Sequence, residues 1–137
     1  MEKFYTIVIL ILIIIGIERM TLPPTSPVMV ADAQAYGVTH TKEIPPNSFK
    51  QDGCTLFPDS ILWSNFSQAC LEHDIAYWYG GTEEERKVAD QNFKSAVADS
   101  GKAGYVLQVP IYLGVRLFSD TWLTKLFDAN WGFGWNE

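Results

Sequence analysis

The chain has 137 residues, a net charge of −6 and an aromatic-rich composition of 5 Trp, 6 Tyr and 8 Phe. Its length allows one small domain with a modest core once an apolar N-terminus is set aside. That N-terminus is charge-neutral (Glu2 and Glu18 against Lys3 and Arg19), so the acidity belongs to the remainder. An acidic domain argues against nucleic-acid binding and against simple electrostatic attachment to anionic lipid.

Residues Phe4 to Ile17 form an uncharged apolar run behind Lys3 and ahead of Glu18-Arg19. The run is short for a membrane span, which needs about 20 residues, and suits the core of a signal peptide. No small-residue cleavage site follows it directly, although Ala31-Asp32-Ala33-Gln34-Ala35 supplies one after a spacer. Residues 1–20 therefore read as a signal peptide or an uncleaved N-terminal anchor. Either way the remainder is expected to be exported: membrane-anchored, periplasmic or secreted. Export suits a disulfide between the two cysteines, Cys54 and Cys70. The rival is a zinc site sharing both thiolates with His73, and it lacks the familiar paired spacing.

Residues 21–48 hold Pro23-Pro24, Pro27 and Pro45-Pro46 without clear periodicity, and read as an extended linker in which His40 is a solvated loop residue. Residues 49–137 read as the domain, with no internal repeat. Asp52-Gly53 and Phe57-Pro58-Asp59 bracket Cys54 as turn signals, predicting a structured loop over 51–60. A helix is expected from about Leu62 to Tyr79, stopped by Gly80-Gly81. Thr82-Glu83-Glu84-Glu85 is a capping box that opens a second helix to about Asp99. Val88, Phe93, Ala96 and Val97 are expected to face inward along it. The short connection makes the two helices antiparallel neighbours. Tyr105 to Phe118 reads as a helix kinked at Pro110 and Gly114. The tail ending Trp131-Gly132-Phe133-Gly134-Trp135 reads as packing over the core, with a lipid-contacting patch as the sharper alternative.

The chemistry concentrates in Cys70-Leu71-Glu72-His73-Asp74-Ile75-Ala76-Tyr77. His73 and Tyr77 are four residues apart and share a helix face, with Asp74 rotated about a hundred degrees away. Asp90 lies about as far past the Gly80-Gly81 turn as His73 lies before it, so an antiparallel pair brings them together. A carboxylate on one imidazole nitrogen fixes the tautomer and leaves the other to take a proton from water. Tyr77 can donate its hydroxyl to Asp90 and hold it ionised. A lone His-Asp pair on a polar stripe is common; it is the joint placement of His73, Tyr77, Asp90 and the two cysteines that points to a site.

The Cys-x-x-His-Asp-x-x-Tyr motif, followed on the next helix by Ala89-Asp90 and Phe93, resembles the phospholipase A2 superfamily in the short form of its bacterial and parvoviral members. The resemblance covers about residues 52–93. It implies a mainly α fold built on an antiparallel helix pair with a calcium-type loop. It makes His73 the general base, Asp90 the acid that orients it and Tyr77 the support of Asp90. It gives Ca2+ as cofactor, held by Asp74 and by the carbonyls of Gly53, Thr55 and Phe57, with a Cys54–Cys70 disulfide tying the loop to the helix. The implied reaction is hydrolysis of the sn-2 ester of glycerophospholipids at a phospholipid membrane surface. Thr55 and Phe57 stand where the family's loop carries glycines, and Thr fits a positive φ poorly. Asp52 or Asp59 can add an oxygen ligand, and the Thr55 N–H a further donor to the developing oxyanion. Ala69 replaces one cysteine of the family's usual pair. Leu62, Trp63 and Phe66 are candidates for lipid contact or for the core. The alternative is an inactive scaffold of the same shape that binds lipid or a protein partner in the cell envelope; a third reading is a tethered protein whose acids bind a cation without turnover. No pattern sets an oligomeric state.

Overall fold

The computed structural model describes residues 25–51, 53, 54, 58–119, 121–126 and 129–137, together with Thr6 and Leu10. The expected N-terminal signal or anchor otherwise lies outside the described residues. Among the described residues, no helix is long and apolar enough to cross a membrane. The fold is mainly helical with one two-stranded antiparallel sheet.

Helix α1 spans Pro27–Thr39, inside the stretch expected to be extended. A proline opens this helix for a physical reason. Pro27 sits in the first helical turn, where its missing N–H is no loss, and the Ser26 hydroxyl accepts the Met29 N–H at 3.3 Å. Ala33 is buried against the next long helix, whose Tyr79 hydroxyl donates to the Ala33 carbonyl at 2.9 Å. His40 follows as the C-cap, exposed and stacked on Tyr36.

Strands β1 (Ser60–Ile61) and β2 (Ser64–Asn65) form a hairpin in register Ser60↔Asn65 and Ile61↔Ser64. Leu62 and Trp63 make its two-residue tip with φ of 43° and 66°. This turn displaces the expected helix start from Leu62 to Ser67. The Phe66 N–H is taken by the Asp59 carbonyl at 2.7 Å, and the Asn65 side chain accepts the Ser67 N–H at 2.8 Å.

Helix α2 (Ser67–Tyr79) is the spine of the molecule, buried from Ala69 to Leu71 and from Asp74 to Tyr79. It ends at Gly80, whose φ of 63° and contact with the Gly132 backbone both exclude a side chain. Helix α3 (Glu83–Asp99) opens with the full capping box: the Thr82 hydroxyl accepts the Glu85 N–H at 3.2 Å, and the Glu85 carboxylate accepts the Thr82 N–H at 2.7 Å. Its inward stripe is Asp90, Phe93 and Val97. Val88, expected inside, is 54 % exposed because it falls almost opposite Asp90 around the helix. Helix α4 (Lys102–Phe118) runs through Pro110 and lies along α3. A short helix α5 (Trp122–Leu126) and a 3-10 turn at Phe133–Trp135 complete the chain.

Two apolar clusters flank α2. One gathers Phe49, Leu71, Ile75, Trp78, Tyr79 and Phe133; the other gathers Cys54, Phe66, Ala69, Cys70, Phe93 and Val97. Phe66 is therefore core, whereas Leu62 (72 % exposed) and Trp63 (99 %) stand in solvent. The aromatic tail closes the C-terminal end of α2, where four carbonyls lack helical partners. Trp135 Nε1 donates to the Tyr79 carbonyl and Trp131 Nε1 to that of Gly81, both at 2.9 Å. The Gly132 N–H donates to the Tyr77 carbonyl at 2.7 Å, and Lys42 Nζ to that of Gly80 at 2.9 Å. The tail packs on the core, as the first of its two readings expects.

Candidate functional site

Helices α2 and α3 bring His73, Tyr77 and Asp90 together. His73 Nε2 lies 2.9 Å from Asp90 Oδ1, and the Tyr77 hydroxyl donates to the same oxygen at 2.7 Å. A carboxylate only accepts, so Nε2 carries a proton, and in the neutral ring Nδ1 is the nitrogen with the lone pair. Nδ1 makes no hydrogen bond within the described residues. The imidazole is held between two rings, with centroids 4.2 Å from Tyr77 and 4.5 Å from Phe93.

Asp90 is completely buried. Burial alone would raise its pKa, but hydrogen bonds from His73, Arg116 and Tyr77 outweigh that cost and hold the carboxyl below its ordinary range. Burial, reinforced by the Asp90 charge, raises the pKa of the Tyr77 phenol, which therefore stays a protonated donor. The site thus pairs a fixed carboxylate with an oriented imidazole.

Sequence reasoning missed Arg116. From α4 its Nη1 donates to Asp90 Oδ2 at 2.8 Å, and its Nη2 to Glu83 Oε1 at 2.8 Å. Hydrogen bonds to those two carboxylates raise the guanidinium pKa further. The signal was present, since Arg116 is the single charged residue between Lys102 and Asp120. A lone charge in an apolar helix calls for a buried partner.

Cys54 and Cys70 form a disulfide, with Cα atoms 5.3 Å apart, which removes both sulfurs from any zinc site. The bond fixes the loop one helical turn before His73. Gly53 precedes it with a φ of 67°, a left-handed conformation that glycine adopts freely. Asp74 is buried beside His73, and both border a cavity of about 410 Å³ that Gly53 also lines. The remaining wall is largely apolar, from Ile61 and Phe93 to Leu107, Ile111 and Gly114 of α4. A larger groove of about 780 Å³ reaches His73 from the α1 side, but neither Asp74 nor Gly53 lies on it. The smaller cavity therefore joins base, acid and loop.

A buried carboxylate and a main-chain carbonyl are the hard oxygen donors that calcium takes, so Asp74 and Gly53 fit the expected ligand set. Thr55 and Phe57, the other carbonyl donors, and Asp52 lie outside the described residues. Asp59 turns its Oδ1 to the Cys54 N–H at 2.9 Å and so braces the loop. Among the described residues, no three His, Cys, Asp or Glu side chains are gathered around one point to hold a metal. One carboxylate with backbone carbonyls is a different kind of set. Comparison with protein-family models, curated proteins and solved structures finds no match to this chain.

Proposed function

We propose that the chain hydrolyses the sn-2 ester of glycerophospholipids in a calcium-dependent reaction, as an exported protein working at a phospholipid surface. The observation that carries the reading is the Nε2–Asp90 bond of His73 at the wall of an apolar cavity shared with Asp74 and Gly53. His73 Nδ1 takes a proton from water as the water oxygen attacks the ester carbon. The Asp90 charge stabilises the imidazolium that forms, and Tyr77 keeps that charge in place. The same proton then passes from Nδ1 to the departing glycerol oxygen as the acyl C–O bond breaks, releasing fatty acid and lysophospholipid. Asp74 and the Gly53 carbonyl would hold a calcium ion, which would supply positive charge to polarise the ester carbonyl. The apolar cavity wall suits an acyl chain. The exposed tip at Leu62 and Trp63 suits contact with the surface that presents it.

The test is fatty-acid release from mixed phospholipid vesicles, with calcium or with chelator, by wild type and His73→Ala. Wild type is expected to release fatty acid only with calcium, and loss of the base to slow release about 10²–10⁴-fold. Equal release by both proteins overturns the assignment of His73. No release by wild type overturns the enzyme reading in favour of the lipid- or partner-binding scaffold.

A further inference from the structure

We propose that Arg116 is a positioning residue that sets the orientation of the Asp90 carboxylate and, through it, the tautomer and direction of His73. The inference rests on the reading of His73 as the base. Turning about the Cβ–Cγ bond moves both oxygens of a buried carboxylate together, so donors on the two oxygens from two different helices fix its plane more firmly than donors from one. Asp90 Oδ1 receives His73 and Tyr77, which come from one helix and approach one oxygen. Among the described residues, only Arg116, from α4, holds Oδ2.

The guanidinium is itself anchored at its far end. Nη2 reaches Glu83 in the first turn of α3, the helix that carries Asp90. Glu83 is in turn gripped by Arg86, whose Nη2 donates at 2.9 Å to the same oxygen. Arg116 therefore spans two carboxylates on one face of α3, and its planar fork cannot follow Asp90 if the latter rotates. Helix α4 thus contributes more than an apolar wall to the cavity: it supplies the restraint that aims the acid at the base. Lysine can supply the charge but not the two-ended fork.

The experiment compares wild type, Arg116→Gln, Arg116→Lys and Glu83→Gln in two independent readouts. In vesicle hydrolysis, Arg116→Gln is expected to lower kcat about 10–100-fold, the range seen when groups orienting a ligating or catalytic side chain are lost. KM should stay nearly constant, Arg116→Lys should recover part of the loss, and Glu83→Gln should show a smaller defect of the same kind. In ¹⁵N imidazole NMR, at a pH where the ring is neutral, wild-type His73 should show one tautomer with the proton on Nε2. Arg116→Gln should show a mixture, and His73→Asn identifies the signal against His40, the other histidine. A single unchanged tautomer in Arg116→Gln overturns the proposal, whatever happens to kcat. If wild type releases no fatty acid, the phospholipase reading fails, while the tautomer comparison still decides the role of Arg116. Should Arg116→Gln not fold, the Lys and Glu83→Gln variants decide it: wild-type tautomer populations in both overturn it.

Discussion

Asp90 stays ionised although completely buried because its neighbours replace the solvent, and this gives it a signature in stability. Its folded-state pKa is depressed, so its contribution is present above the ordinary carboxylate range. That contribution is lost as pH falls through the folded value. Denaturant unfolding between pH 7 and pH 2.5 should show wild type weakening below that range by about 1.4 kcal/mol per pH unit for each proton taken up. The Asp90→Asn variant is expected to be less stable at pH 7 and to give a flatter curve by that one proton; parallel curves would exclude Asp90 as the titrating group. At this scale the sequence was legible wherever local geometry decides the contact. His73, Tyr77 and Asp90 could be placed together because one helix period and one tight turn relate them. Arg116 could not, since its partner is on another helix and nothing in the spacing sets how α4 lies against α3. Charge isolation was the only trace it left.

The capped helix α3 and the Gly80 stop were readable because each rests on a few adjacent residues with one dominant conformation. The start of α2 and the whole of α1 were not. An apolar run through Leu62 and Trp63 fits a helix as well as a hairpin, and only the tertiary fold selects the tip with two positive φ angles. Pro27 marks the start of α1, although a proline is equally compatible with extended chain. The hairpin tip carries a cost that the rest of the fold does not explain. Two-residue turns of this kind favour Asn-Gly, and a bulky residue in the left-handed region costs about 1–2 kcal/mol. Trp63→Gly should therefore hold or raise thermal stability, by up to about 1 kcal/mol after glycine's own entropic cost. Vesicle binding should fall about tenfold or more, since immersing part of an indole is worth more than about 1.4 kcal/mol. Co-sedimentation with phospholipid vesicles and a melting curve read both effects, and unaltered binding would remove the tip from the lipid-facing surface.

Across the whole molecule, α2 is held from every side: α1 against Tyr79, the disulfide at Cys70, α3 and α4 around Asp90, and the aromatic tail over its C-terminal carbonyls. Composition and periodicity announced a helical domain, but not that the tail and the linker region would both serve the same helix. Such closures join residues far apart in the chain and leave no local pattern. The Gly132 contact has a consequence in time as well as space. Its amide is bound to the carbonyl of Tyr77, the residue whose hydroxyl holds Asp90. Lifting the tail breaks the bond on the carbonyl of that residue, which predicts that tail and site open as one cooperative unit. Native-state hydrogen exchange should show the Gly132 amide and the Gly80 amide, bound to Ala76, sharing a single opening free energy. A Gly132 amide exchanging far ahead of Gly80 would mean the tail frays alone. Joint opening makes a glycine some sixty residues downstream a slow clock for the His73 site.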